Sequence, residues 1–359
     1  MKQKQTYARA VVTGICMIIL IFDSRTAVTG AYDGIILCIN TVIPSLFPFF
    51  VLCLMLTGML SSMHIPMIRP LGRSLSLPEN GEILLMMGFL AGYPAGAQCI
   101  RQAYTSGALS RTDAQRMLPF CSNAGPAFIF GMGLSVLGEV WICWLLWFVH
   151  ILSALIVGWI SADRPLSVCK KTTLSTLSLT EALNRSLRIM ATVCGWIILF
   201  RIILAILQKW FLWMLPHNAA ILLSGLLELS NGSVSLLHIE SIPMRFVFLA
   251  TMLGFGGVCV TLQTAGVLSG SGLSIHSYVF GKIIQSALSC AASILLALLL
   301  PEGSTAFRGS ASCIAIVVLS GSIFLALSRK TRVAFRKILL YNDPKMYGGS
   351  TYEAFPQKN

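Results

Sequence analysis

Glu228 stands in an apolar run between Gly225 and Gly232, the one acidic side chain inside a candidate membrane segment and away from its ends. A carboxylate at membrane depth is costly unless it is paired, hydrated or protonated, so its default reading is functional. Ser230 and Asn231 follow it directly, and Gln98, Asn123 and Gln263 stand at other glycine-marked interruptions of apolar sequence. The chemistry these types offer is one negative charge plus hydrogen bonds to a small polar solute (a ribose, a base edge) or to an ion. Two plainer roles compete: the carboxylate caps a broken helix, or it pairs with Arg201. Arg201 itself, in the run 197–207, is expected to snorkel to the outer surface beside Lys209. Any of the amides or hydroxyls can also merely satisfy backbone groups that a helix break has freed.

Catalysis is not expected. The chain has no P-loop, no Gly-x-Ser-x-Gly elbow, no His-Glu-x-x-His and no paired carboxylates in its apolar part. Ser122 has no base near it in sequence. The histidines at 64, 150, 217, 238 and 276 are dispersed and carry no assignment. The 11 cysteines are scattered singly with no Cys-x-x-Cys pair, which describes small core residues better than a disulfide framework or a zinc site. No cofactor and no metal is expected. A coupling ion, H⁺ or Na⁺, is left open.

The elements that must position these residues are membrane segments. Hydrophobic residues make up 56% of the 359 and charged residues 11%, with a mean hydropathy of +0.80, far outside the range of a soluble domain. The formal net charge of +13 comes from basic residues in short segments between apolar runs, where they set topology rather than bind nucleic acid. The partners expected are the lipid bilayer and a small polar solute; glycine-rich faces also suit a homo-oligomer.

In order, a basic start at Lys2, Lys4 and Arg9 precedes a first span at 10–22, read as uncleaved although small residues at 26–31 would suit a signal peptidase. Residues 1–34 then comprise that span and an outer loop. Residues 35–160 form a first half. It holds a span at 35–59 bent or started by Pro44 and Pro48, a re-entrant hairpin at about 83–103 broken at Gly92, Tyr93 and Pro94, a span at 117–137 broken at Asn123, Gly125 and Pro126, and a span at 140–160. Gly88, Gly92 and Gly96 are spaced to share one helical face. Ser110 to Asp113 resembles a capping box for a short surface helix carrying Arg111 and Arg116. Trp141, Trp144 and Trp159 read as interfacial anchors.

Residues 161–188 are a basic cytoplasmic linker. Residues 189–300 form the second half: a span at 189–207, a second hairpin at about 219–239 broken by Gly225 to Gly232, a span at 244–268 broken at Gly256 and Gly257, and a clean span at 278–300. A last span lies within 301–328 and a basic tail at 329–359. The fold class is therefore an all-α polytopic membrane protein in the cell membrane, with about eight spans and two re-entrant broken hairpins in an inverted-topology repeat and both termini cytoplasmic. Only the boundary near His276 and Lys282 is weakly marked by charge. Broken segments at corresponding places in inverted halves point to a transporter-type site at the midplane.

Several ordered motifs carry a family resemblance: Ile43 to Phe50 with its two prolines, Gly92 to Gly96, Leu109 to Leu118, Cys121 to Pro126, Leu227 to Gly232, and Phe255 to Gly257 with Gln263. Over about residues 8–330 the chain resembles the YlbJ family of sporulation integral membrane proteins, grouped with the nucleoside-recognition or gate domains. The resemblance implies a role in endospore formation and a core similar to that of concentrative nucleoside transporters, in which a glutamate of the second hairpin contacts the ligand; Glu228 falls at the matching place. It implies trimeric relatives and no known substrate. The expected function is a secondary transporter or permease-like solute-binding protein for a small polar solute, nucleoside-like or ionic. The alternative is a non-transporting scaffold that works with sporulation proteins in building the spore envelope.

Overall fold

The computed structural model describes residues 2–60, 68–78, 81–162 and 177–297. The expected last span, the basic tail and most of the linker lie outside the described residues. Among the described residues every regular element is helical. Among the described residues five helices are long and apolar enough to cross a membrane: Ser24–Leu56, Val140–Ile160, Leu179–Trp210, Ile242–Leu268 and His276–Ala297.

The chain begins with α1 (Lys2–Phe22), interrupted at Asp23, and continues through α2 (Ser24–Leu37), a π turn (Cys38–Val42) and α3 (Ile43–Leu60). The outer loop expected at residues 23–34 is thus helix. The reason is packing: Ala27, Gly30 and Gly34 make a small-residue stripe that lets α2 lie against the long helix α10 (Leu179–Trp210). A Cβ at Gly34 would sit 3.0 Å from Ile198 Cα, and one at Gly30 3.1 Å from Ile202 Cα. The pair is pinned by charge. Asp23 accepts from Lys209 Nζ at 2.7 Å and Trp210 Nε1 at 3.1 Å, and Arg201 donates to Asp33 at 2.8 Å. Arg201 therefore pairs across the two helices instead of snorkelling beside Lys209, because α2 brings a carboxylate that a loop would have left in solvent. Pro48 lies inside α3. The prolines do not start the span, which runs on continuously from Ser24 through the π turn just before Ile43.

After α4 (Arg69–Ser74), a tight hairpin of α5 (Gly81–Leu90) and α6 (Ala95–Thr105) turns at residues 91–94. The helix breaks at Gly92, φ +78°, so Gly88, Gly92 and Gly96 do not share one face. Instead a Cβ at either Gly88 or Gly96 would collide with the Cys121 carbonyl, and glycine lets the next segment thread against the hairpin. The short helix α7 (Arg111–Met117) is capped as expected, with Ser110 Oγ accepting from Asp113 N at 3.0 Å. It is not on the surface. Asp113 and Arg116 are buried, and Arg116 donates to Ser76 O at 2.6 Å and Asp113 at 3.2 Å, tying α7 to the loop before α5. Residues 118–125 are irregular, and α8 (Pro126–Leu137) has only 12 residues, too few to cross a bilayer alone. The single span expected at 117–137 is instead the last residue of α7, this loop and the short helix α8.

Next come α9 (Val140–Ile160) and α10, whose 32 residues reach back into the expected linker. A capping box at Ser178 and Glu181 starts α10. The second hairpin, α11 (His217–Leu227) and α12 (Leu229–Ser235), turns on the single residue Glu228. Here too two glycines meet: a Cβ at Gly232 would collide with Gly225. Helix α13 (Ile242–Phe255) ends at Gly256, φ +82°, and α14 (Gly257–Leu268) restarts at once. Helix α15 (His276–Ala297) closes the described fold against α9 and α13. Trp141, Trp144 and Trp159 are about half exposed on α9, as interfacial anchors require.

Candidate functional site

The helix interruptions converge. The π turn, the 91–94 break, the 118–125 loop and Glu228 all contribute to one cavity of about 40 Å³, and Gly256 lies against the Tyr93 ring beside it. Backbone freed from helical hydrogen bonding at membrane depth is tolerated only where protein or a polar cavity serves it, and here side chains do: Glu228, His150 and Tyr93 bond backbone groups at the breaks. Val42, Leu46, Phe128, Val193, Ile197 and Val260 give the cavity an apolar wall. Glu228, Ser230 and Gln263 also line it, with Gly92, Tyr93 and Gly125, and nearly all the surface presented to the cavity is apolar. At roughly 10–15 Å³ per water, the space holds about three water-sized groups. That is far less than a nucleoside fills.

Glu228 is buried and heavily used. As N-cap of α12 its Oε1 accepts from Ser230 N at 3.0 Å, and its Oε2 from Asn231 N and Asn231 Nδ2, both at 2.6 Å. Of about four lone-pair directions on a carboxylate, these three bonds leave one, on Oε1. The capping role weighed from the sequence is therefore present, while pairing with Arg201 is absent because that side chain is engaged by Asp33. Capping and cavity lining coincide in one residue. Glu is an unusual N-cap, since the shorter Asp, Asn and Ser reach the same N–H groups with less chain.

The other expected residues are divided. Ser230 and Gln263 line the cavity, and Asn231 serves it indirectly through Glu228. Gln98 is half-buried on α6 and does not line it. Nor does Asn123, because the 118–125 loop turns its side chain the other way. Its Nδ2 donates to Phe120 O at 2.7 Å, and its Oδ1 accepts from Lys282 Nζ and Gln285 Nε2, both at 3.0 Å. Gly96 and Gly232 act as close-packing positions, Pro126 starts α8, and Gly257, φ +89°, starts α14.

This second polar centre was not anticipated. Lys282, expected to mark a membrane boundary, is fully buried on α15. Its ammonium also donates to Gln285 Oε1 at 2.7 Å and lies 5.2 Å from the Tyr93 ring centroid and 5.7 Å from that of Tyr278. His150, left without a role in the sequence reading, is buried too, and its Nε2 accepts from Ala124 N at 3.1 Å. That bond holds the 118–125 loop. The signal was available: Tyr278, Lys282, Gln285, Ser289 and Ser293 recur at helical spacing, and all are buried on one face of α15.

The chain is similar to the sporulation integral membrane protein YlbJ of Bacillus subtilis (strain 168). The two are 26% identical over 326 residues, which cover 77% of this chain and 79% of that relative. No family profile matches the chain, and no solved structure matches it.

Proposed function

The chain belongs to the YlbJ family of sporulation integral membrane proteins, and from that premise we propose that it serves endospore formation as a multi-pass, permease-like solute-binding protein. The observation that carries the reading is the cavity itself, where helix breaks from both parts of the chain meet around one buried carboxylate. In this reading the two glycine-pinned hairpins, α5–α6 and α11–α12, are counterparts in an inverted repeat. Each has a glycine before and after its turn that allows the arms to touch or a neighbouring backbone to approach. The remaining lone pair of Glu228, with Ser230 and Gln263, contacts a small polar solute or ion. The cavity's size describes a closed state, so a solute larger than a few heavy atoms enters only after the hairpins part, as alternating access requires. Binding rather than bond-making is the chemistry these groups supply.

The test is a thermal-shift screen of the detergent-purified full chain against nucleosides, nucleobases, small acids and mono- and divalent cations, with Glu228→Asp beside it. A ligand that binds the folded state alone raises apparent stability by mass action. The expected result is at least one ligand that stabilises the parent and not the Asp variant, whose shorter carboxylate is withdrawn from the cavity. Ligands that stabilise both proteins equally, or none at all on a well-folded parent, would overturn the solute reading in favour of a membrane scaffold.

A further inference from the structure

We propose that the polar stripe of α6, made of Gln98, Arg101, Gln102 and Thr105, lines a water-filled route from the Glu228 cavity to one membrane face, and that Arg101 makes this route favour anions over cations. Positions 98, 101, 102 and 105 share one face of a helix. Each is at least partly exposed, while Cys99, Ile100 and Ala103 between them are buried. The packing of α6 against α5, α7 and α14 accounts for that buried side. Among the described residues the side chains of Gln98, Arg101 and Gln102 have no hydrogen-bond or ionic partner, and Arg101 Nε is unpartnered although buried. Lipid cannot solvate such groups. Arg101 alone has a stem long enough to carry its charge to the headgroups, but Gln98, one turn nearer the break at 91–94, lacks that reach. Water is the partner that remains.

The neighbouring helix fixes where the stripe leads. Helices α6 and α14 both start at breaks beside the cavity, where a Cβ on Gly256 would lie 3.1 Å from the Tyr93 ring. Both run toward the same side, because just past their ends Arg111 donates to Gly272 O at 2.9 Å and Gln115 to Ser274 O at 2.6 Å. The 11 residues of α6 reach about 16 Å, roughly half the thickness of a hydrocarbon core. The stripe therefore leads from the cavity wall outward through Gln98, then Arg101 with Gln102, then Thr105. Charge along it is one-sided. The Glu228 carboxylate is met by three N–H donors, and Arg116, Arg201 and Lys209 are paired with carboxylates, whereas Arg101 is not. An unmet guanidinium beside water between low-dielectric walls raises the local concentration of anions and lowers that of cations. The selectivity deepens the permease-like reading and rests on it for what travels; the route itself is tested without any solute.

The experiment modifies cysteines placed in the full chain, in vesicles opened to both sides, with two methanethiosulfonates that do not enter lipid, one bearing a sulfonate and one a trimethylammonium group. Each transfers its thioalkyl group to a thiolate, forming a disulfide and releasing methanesulfinate, and peptide mass spectrometry separates the new site from the 11 native cysteines. Gln98→Cys should react with both reagents within about tenfold of the rate at Thr105→Cys, since thiols facing water ionise alike. Gln102→Cys repeats the measurement one turn on and decides it where Gln98→Cys does not fold. Leu262→Cys, at an apolar position of α14 that is 40% exposed, faces lipid and should stay unmodified. In the Gln98→Cys protein, Arg101→Gln should lower the sulfonate-to-trimethylammonium rate ratio about fivefold at low salt, as expected for a unit charge one turn away that acts oppositely on the two reagents. Arg101→Lys should keep the ratio. Glu228→Asp should leave the labelling of Gln98→Cys unchanged, so the route and the reading of Glu228 fail separately. No reaction at Gln98→Cys and Gln102→Cys, or equal reaction at Leu262→Cys, would overturn the route. An unchanged ratio in Arg101→Gln would overturn its selectivity.

Discussion

Glu228→Gln separates two opposed forces on one buried carboxylate. Three N–H donors converge on it, one at Oε1 and two at Oε2. A glutamine at this place keeps at most the two bonds on one oxygen and turns its NH₂ toward the third donor. A buried donor left unsatisfied costs about 1–3 kcal/mol, and the surviving bonds lose their charge assistance. Against this, neutralisation relieves the desolvation of a charge that is 2% exposed. If capping dominates, the variant loses about 2 kcal/mol. With roughly 2–4 °C per kcal/mol for chains of 150–250 residues, and somewhat less for a longer chain, its midpoint falls by a few degrees. Glu228→Asp, a better N-cap by type, should stay within about 1 kcal/mol of the parent, the cost of a missing methylene. The assay is thermal unfolding of the three proteins in one detergent at one scan rate, since unfolding of such a chain is judged as a rate as well as an equilibrium. A Glu228→Gln protein more stable than the parent would refute the reasoning, because it would mean that the N–H groups do not hold the charge.

Gly88→Ala should destabilise by about 1–3 kcal/mol or more, because its Cβ meets the Cys121 carbonyl rather than a movable side-chain end. Gly195→Ala, with open space around it inside α10, should be neutral or stabilise by up to about 1 kcal/mol; equal melting of the two variants would show that the hairpin is not closely threaded. Tyr93→Phe removes the 3.0 Å bond from the tyrosine hydroxyl to Leu253 O, a carbonyl freed by the break at Gly256, and should cost about 1–2 kcal/mol in thermal unfolding. Asp33→Asn should cost no more than about 1 kcal/mol by the same measure, because its pairing with Arg201 is partly solvent-exposed, at 41% and 23% of their side chains.

The helical class, the apolar character of the chain and the places where helices break were legible because each has a local cause. Glycine and proline at 92–94, 125–126 and 256–257 write their interruptions into the sequence, and each of these breaks is present. The residue brought to the cavity by the second break, Glu228, was equally legible, since a carboxylate in an apolar run has few explanations. What was not legible depends on partners distant in sequence. The stretch 23–34 looked like a loop because glycine, threonine and aspartate weaken helix propensity. Only α10, some 170 residues later, supplies the surface that makes Gly30 and Gly34 favourable. The direction in which Asn123 points has the same character. A residue on an irregular loop carries no periodicity, and its side chain follows the nearest unsatisfied donor, here Lys282.

Lys282 carries a signal of a different kind, one written along a single helix face. A lone lysine a few residues inside an apolar helix reads as a topology marker, because a long aliphatic stem can carry the charge to the headgroups. That explanation does not extend to Gln285, which has neither the reach nor the charge to gain from the interface. A glutamine one turn beyond a lysine, with tyrosine one turn before and serines at the following turns, forms a polar stripe that lipid cannot solvate. The stripe must face protein, and it then has to be matched by acceptors from another element. The irregular loop 118–125 is the only neighbouring segment, among the described residues, whose side chains accept from Lys282; α15 supplies the other acceptor itself, from Gln285. The break at Asn123 and the stripe on α15 are therefore one feature seen from two sides, and a loop placed to receive a buried charge explains why the chain gives up a regular helix there.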